Sequence, residues 1–121
     1  HIFIKGVRHK IMKQFKIESM KGGWFVGNFT PSIYKNKNVE VGIKYYQAGD
    51  KEPPHVHRKA WEITVIVKGR AIMAGKELNK GDIILLEPGD ESSFEALEDS
   101  TLAIVKYPSI PSDKFILENK T

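Results

Sequence analysis

The stretch Gly49-Asp-Lys-Glu-Pro-Pro-His55-Val-His57-Arg-Lys-Ala-Trp-Glu62-Ile-Thr-Val-Ile-Val-Lys68-Gly69 decides the expected fold and chemistry of this chain. His55 and His57 are two residues apart, so both side chains project from one face if the segment is a β-strand. Glu62 follows a short loop and lies on the next run of alternating residues. Two imidazoles and one carboxylate on neighbouring strands can occupy one face of an octahedral metal ion and leave other positions open for water, oxygen or substrate. The stretch therefore predicts a divalent-metal site.

Short strands separated by turn residues are predicted through most of the remaining sequence. Apolar and polar residues alternate over positions 39–46, a Gly75-Lys76 hairpin tip separates two further segments, and Ile83–Leu86 is an apolar run that predicts a strand buried on both faces. Many short strands at close spacing are typical of a sandwich or a closed barrel. A length of 121 residues fits one domain. We expect a single all-β domain over residues 1–121.

The two ends of the chain are less regular than the middle. We place the barrel core at about residues 39–107, N-terminal strands within 1–38, and a C-terminal tail at 108–121. Ile2–Ile4 is an expected edge strand, whereas Val7–Phe15 carries a weak helical period. The tail is expected to pack Phe115 and Ile116 against the barrel and then to fray.

The composition excludes several classes of function. Cysteine is absent, which rules out disulfides, thiolate zinc sites and cysteine nucleophiles. The net charge is +4, but only three of the nineteen basic residues are arginine and the lysines are dispersed, unlike the basic stripe of a nucleic-acid reader. No apolar run approaches the ~18 residues of a membrane helix, and no signal peptide is visible. We expect a cytoplasmic protein that binds neither nucleic acid nor membrane.

The spacing from Gly49 to Gly69 resembles the first conserved motif of the cupins, G-x5-H-x-H-x3–4-E-x6-G, with every fixed position filled. The stretch from Gly81 to Ser92 resembles the second motif, G-x5-P-x-G-x2-H, with Pro88 displaced by one position. The resemblance covers most of the chain. It implies a single-domain cupin double-stranded β-helix, a jelly-roll-like barrel with a central pocket.

The resemblance also implies the metal ligands, with one departure. Three of the four metal positions of the family carry over, namely His55, His57 and Glu62, but Ser92 stands where the third histidine is expected. A serine hydroxyl is a poor ligand for such ions, so water or Glu91 would complete the shell. The implied cofactor is a divalent ion, and Fe, Mn, Ni, Zn and Cu all remain open. The alternative is that the histidines bind ligand directly, without an ion.

Other residues are candidates for contact with a ligand. Tyr45 and Tyr46 point to opposite sides of their strand, so one of them should line the pocket, and Lys44 shares the face of Tyr46. We select Tyr46, Lys44 and Ser92 as ligand-binding residues. Tyr46 and Glu91 are the candidate catalytic groups, because a tyrosine or a carboxylate at the barrel mouth can move a proton.

Two ligand-binding functions remain open from the sequence, beside a third interpretation as a structural partner protein whose aromatic surface pairs with another chain. The first is a metal cupin that binds a small polar ligand, a carbohydrate or a carboxylate, with isomerase, lyase or oxygenase chemistry implied by the resemblance. The second is a non-catalytic binding or sensor cupin with weak or no metal. The segment Val105–Lys114 resembles the tail of small cupins from surface-polysaccharide and sugar-nucleotide pathways. The resemblance to cupins of this size also implies a homodimer. Four aromatic residues could supply its interface: Trp24, Phe25, Phe29 and Trp61.

Overall fold

The computed structural model describes residues 1–6 and 11–118, which form β-strands and one short 3-10 turn at Ile17–Ser19. The strands are β1 (Trp24–Gly27), β2 (Tyr34–Lys35), β3 (Glu40–Tyr46), β4 (Lys51–His57), β5 (Trp61–Lys68), β6 (Arg70–Met73), β7 (Lys76–Asn79), β8 (Ile83–Leu86), β9 (Glu91–Ala96), β10 (Ser100–Tyr107) and β11 (Lys114–Ile116). The all-β prediction is confirmed. Within these residues, no helix is long and apolar enough to cross a membrane.

Two sheets share these strands. The first sheet has the order β2-β1-β3-β10-β5-β8, and the second has the order β11-β4-β9-β6-β7. Neighbouring strands are antiparallel except for the pair β1 and β2. From β3 onward the chain passes back and forth between the two sheets, and only the hairpin of β6 and β7 stays within one. This topology is a double-stranded β-helix of the jelly-roll kind.

The core lies between the two sheets. The buried apolar side chains come from both of them: Ile66, Leu86, Leu102 and Ile104 from the first sheet, and Ala71, Met73, Leu78, Phe94 and Ala96 from the second. Ile66 and Leu102 are at most 2% exposed, and full burial of such a side chain contributes roughly 1.5–3 kcal/mol. The part of this core formed by Met73, Phe94 and Leu102 also lines the cavity described below.

The two faces of β5 differ from the usual pattern of a half-buried strand, which has its apolar side chains inside. Glu62, Thr64 and Ile66 face the interior and are at most 6% exposed. The apolar alternate positions face outward, and the neighbouring strand β8 exposes Ile83 (67%) and Leu85 (51%). The prediction that Ile83–Leu86 is buried on both faces is therefore wrong. Its outer face has no covering element among the residues described.

The N-terminal expectations differ from the structure. Ile2–Ile4 forms no strand, and its side chains are 72–93% exposed. The helical period expected over Val7–Phe15 lies partly outside the described residues, and positions 11–15 have no regular secondary structure and are exposed. Apolar residues alone did not determine structure here, because this segment pairs with no strand of the described chain.

The tail forms the additional strand β11. It pairs with β4 in antiparallel register, and Ile116 lies opposite His55. The side chains of Phe115 and Ile116 remain 39% and 56% exposed, so backbone pairing, more than the expected side-chain burial, joins the tail to the barrel. The Arg58 guanidinium lies 4.3 Å from the centre of the Phe115 ring.

Candidate metal and ligand site

A cavity of about 150 Å³ lies between the two sheets. Six residues selected from the sequence line it together: Lys44, Tyr46, His55, His57, Glu62 and Ser92. They come from β3, β4, β5 and β9, whose inward-facing positions meet because each strand alternates its side chains between two faces. The structure thus brings the predicted metal donors and the predicted ligand-binding residues into one place.

β4 presents both histidines to the cavity. His55 and His57 are only 5% and 6% exposed, and their rings are 5.4 Å apart in an edge-on arrangement. Nδ1 of His55 lies 2.9 Å from the carbonyl oxygen of Pro53. A protonated Nδ1 would donate to that carbonyl and leave Nε2 with a free lone pair, which is how second-shell groups orient metal-binding imidazoles.

His57 is neutral near pH 7. Burial lowers the pKa of His57 to about 4, with Lys106 and His55 adding to the effect. A neutral imidazole keeps the lone pair that a metal ion needs, whereas a protonated one has none. Burial, together with the neighbouring positive charge, therefore favours the neutral form of His57, which keeps a lone pair for a ligand.

Glu62 supplies the carboxylate beside this imidazole. It is 6% exposed, and one of its oxygens accepts a hydrogen bond of 3.2 Å from the Thr64 hydroxyl. Burial raises the pKa of Glu62, while the ammonium group of Lys106 opposes that rise. A bound cation would favour the ionised carboxylate still more strongly.

The spacing of the donors fits a metal ion only in part. Oε1 of Glu62 lies 3.7 Å from Nε2 of His57, and two ligands of one zinc-like ion, each about 2.1 Å from it, lie roughly 3.0–3.4 Å apart. Among residues 1–6 and 11–118, no three His, Asp or Glu side chains are already gathered closely enough to hold an ion. The donors have suitable chemistry and share one cavity. The three donors would have to draw closer together to hold one ion.

Ser92 lies where the family pattern has a third histidine. It pairs with His55 across β4 and β9 and is 1% exposed. Its Oγ has no hydrogen-bond partner among the described groups. A buried hydroxyl without a partner costs about 1–3 kcal/mol, so this oxygen is a ready contact for a bound molecule.

Tyr46 acts as a hydrogen-bond donor in this cavity. Its hydroxyl donates to Oε1 of Glu52 at 2.9 Å, and its ring packs on Phe94 with centroids 4.3 Å apart. Burial raises the pKa of Tyr46, and Glu52 adds to that rise. These surroundings keep the hydroxyl of this candidate catalytic residue protonated, so they favour a role as a hydrogen-bond donor. Glu52 was missed in the sequence because it precedes the Pro53-Pro54 pair, which is typical of a loop.

Two lysines that sequence reasoning missed complete the cavity wall. Lys106 and Lys114 line it together with Lys44. Nζ of Lys106 lies 4.8 Å from the centre of the Trp24 ring, a cation–π distance. Burial lowers the pKa of Lys44, whereas the carboxylate of Glu52 raises it. The ammonium groups of Lys114 and Lys106 lower it further. Leu102 and Lys106 are both even-numbered positions of β10, so their side chains share one face of the strand. That alternation could have indicated from the sequence that Lys106 faces the cavity.

Other predicted residues lie elsewhere. Glu91 is exposed and precedes the inward-facing Ser92 by one position, so alternation turns it away from the cavity. Trp61 is absent from the cavity wall and stacks on Tyr107, with ring centroids 6.0 Å apart. Trp24, one of the aromatics considered for a dimer interface, instead lines the cavity.

The tail fixes the loop between the two donor strands. The buried carboxylate of Asp113 accepts hydrogen bonds from the backbone N–H groups of Arg58, Lys59 and Ala60 at 3.3, 3.1 and 3.0 Å. This loop connects His57 on β4 to β5. Asp113 therefore couples the tail to the relative position of the two donor strands.

Solved structures of other proteins share this arrangement of strands. An uncharacterised protein with a double-stranded β-helix domain from Klebsiella pneumoniae matches with a TM-score of 0.67 and 16% identity, over 93% of this chain and 100% of that one. A cupin-superfamily sugar phosphate isomerase from Silicibacter pomeroyi matches with a TM-score of 0.55 and 18% identity, over 58% of this chain and 50% of that one. This chain has the cupin fold. The expected double-stranded β-helix is confirmed.

The cupin fold is also shared with the DMSP lyase DddQ from Ruegeria pomeroyi. The TM-score is 0.64 at 19% identity, over 80% of this chain and 52% of the lyase. The chain therefore spans about half the length of the lyase and of the isomerase. No protein-family model and no curated protein sequence matches the chain. At these identities the likeness shows the fold alone.

Proposed function

We propose that this cupin binds a divalent metal ion through His55, His57 and Glu62 and binds a small polar ligand beside it. The observation that carries the proposal is the convergence of these three donors, all at most 6% exposed, in one cavity. A divalent ion could bind the two imidazole nitrogens and the carboxylate oxygen at once.

The surrounding residues support chemistry on an oxygen-rich ligand. A bound ion would act as a Lewis acid on a ligand oxygen. Tyr46 holds a proton at its hydroxyl, and the lysines of the wall supply positive charge where negative charge would develop. An isomerase and a lyase share this fold, and both reaction classes use such groups. Isomerase and lyase activities are the first to screen.

The alternative is a binding or sensor cupin that uses the pocket without a metal ion. Two observations favour it: Ser92 replaces the expected histidine, and the three donors are not gathered closely enough to hold an ion as they stand. In that case the imidazoles would hydrogen-bond the ligand directly.

Elemental analysis separates the two functions. Protein made without a histidine tag is dialysed against Fe(II), Mn(II), Ni(II), Cu(II) and Zn(II) in turn, beside the double variant His55→Ala/His57→Ala. The matched control is His1→Ala, which removes an exposed histidine outside the cavity. Near-stoichiometric metal in wild type and control, absent from the double variant, supports the metal cupin. No metal in any of them overturns it and leaves the binding cupin.

We also propose that the protein is a homodimer. The outward positions of the first sheet are apolar across four adjacent strands, in two rows set by the register: Leu85, Ile63, Val105 and Val41, then Ile83, Val65, Ala103 and Ile43. Ile83 and Leu85 are more than half exposed. An apolar surface of this extent is typical of an interaction site, and in a two-fold dimer the same surface of both copies forms the interface.

A further inference from the structure

Three lysines from three strands converge on the cavity. Lys44 lies on β3, Lys106 on β10 and Lys114 on β11, and all three line it. Lys114 is opposite His57 in the pairing of β11 with β4, and Lys106 is opposite Glu62 in the pairing of β10 with β5. Two of the lysines are thus cross-strand neighbours of the proposed metal donors.

The positive charge of this group is not balanced within the cavity. Three ammonium groups face two carboxylates, Glu52 and Glu62, and Glu52 already accepts the hydrogen bond of Tyr46. None of the ion pairs between described residues involves one of the three lysines. Like charges gathered in a partly enclosed site repel each other and attract an anion.

Size and polarity narrow the class of anion. A cavity of about 150 Å³ accommodates a molecule of about the size of benzene, which corresponds to a small organic acid and leaves no room to enclose an oligosaccharide. The hydroxyl of Ser92, 1% exposed and without a partner, can both donate and accept a hydrogen bond. It would match a second oxygen on the ligand.

We propose that the ligand is a small hydroxy- or oxo-carboxylate whose carboxylate binds among Lys44, Lys106 and Lys114 and whose second oxygen meets Ser92. This inference deepens the proposed function and rests on it for the choice of site. The lysines determine specificity. They would select a carboxylate over a neutral carbohydrate, and Lys106 and Lys114 would hold it beside the metal donors.

Calorimetry with matched pairs of ligands tests this. The probes are lactate and pyruvate against their neutral amides, lactamide and pyruvamide, and glucose. We expect the acids to bind at least about ten-fold more tightly than the amides, since each lost charged contact reduces affinity by about that factor. Lys106→Met and Lys114→Met should each remove most of this preference, while Lys106→Arg retains it. Lys80→Met, which removes an exposed lysine outside the cavity, should leave it unchanged.

Metal content, measured on the same samples, separates the two proposals. If the protein holds no metal but still binds the acids more tightly than the amides, the anion site is supported and only the metal proposal is contradicted. If the protein holds metal but binds acid and amide with equal affinity, the anion site is overturned and the metal proposal stands. Failure of every acid to bind at about 10 mM, ten times a weak Kd of ~1 mM, would also overturn it. Ser92→Ala should weaken the acids while keeping their preference over the amides.

Discussion

Replacing Asp113 with alanine is expected to destabilise the protein through one loop. The carboxylate accepts hydrogen bonds from three consecutive backbone N–H groups, on Arg58, Lys59 and Ala60, and it is 7% exposed. Asp113→Ala removes the acceptor for all three. The loop between β4 and β5 then loses its attachment to the tail.

The expected cost follows from the burial of each partner. A hydrogen bond to a charged group contributes about 1.5–3 kcal/mol. Arg58 and Lys59 are exposed, so water can replace the carboxylate at those two positions at a residual cost of about 1 kcal/mol together. Ala60 is 4% exposed, so its N–H would remain without a partner at a cost of about 2 kcal/mol. We therefore expect Asp113→Ala to lower the free energy of unfolding by about 3 kcal/mol, or Tm by about 10 °C for a domain of this size.

Thermal and urea unfolding followed by circular dichroism measure this cost. Asp113→Asn keeps one acceptor and should lose about half as much. The matched control is Asp82→Ala, which removes an exposed aspartate that accepts one backbone hydrogen bond in a turn, from Asn79 at 2.7 Å, and should cost less than about 1 kcal/mol. If Asp113→Ala unfolds at the same temperature as Asp82→Ala, the tail does not hold the loop and the reasoning is refuted.

Three further outcomes are expected. Gly69→Ala should lower the free energy of unfolding by about 3 kcal/mol or more, whereas Gly49→Ala should lower it by about 1 kcal/mol in the same urea titration. Both glycines have φ near +90°, but only at Gly69 would an added Cβ overlap Ser100. In chelator-treated protein, the contribution of His57 to the free energy of unfolding should fall by about 3 kcal/mol as pH drops from 6.5 to about 4, because the lowered pKa of His57 lets the unfolded chain bind more protons there. The raised pKa of Glu62 acts in the opposite direction, so the change is measured as the difference between wild type and His57→Gln, and equal pH slopes for the two proteins would contradict the assignment. Ile83→Asp should convert the proposed homodimer to a monomer in light scattering, since an unpaired charge would be buried in the interface, and an unchanged dimer would place the interface elsewhere.

Local sequence signals were sufficient for most of the central strands, for the turns, and for six of the residues that line the central cavity. The motif glycines Gly49, Gly69, Gly81 and Gly89 all have positive φ, a conformation that glycine adopts readily and other residues rarely do. The two-residue spacing of the histidines placed both on one face of β4. These features depend on neighbouring residues along the chain, so the sequence alone could specify them.

The two ends of the chain required more than local signals. The apolar N-terminal segment indicated a strand that the structure does not contain, whereas the Pro-containing tail provided β11 and Asp113. Strand formation at an end depends on whether a partner edge is within reach, and β4 offers one to the tail. Period-2 patterning carries no information about that partner.

By itself the sequence determined a double-stranded β-helix and three candidate donors, which the structure places in one cavity. Outside the motif, only the tertiary structure decided which face of a strand points inward, because alternation defines two faces without saying which one other elements will cover. It left the apolar alternate positions of β5 on the outside, opposite the face of Glu62 that the motif had already assigned to the pocket. It also brought Lys44, Lys106 and Lys114 to one cavity. These lysines are far apart along the chain, and the sheet register that brings them together forms only when the barrel closes.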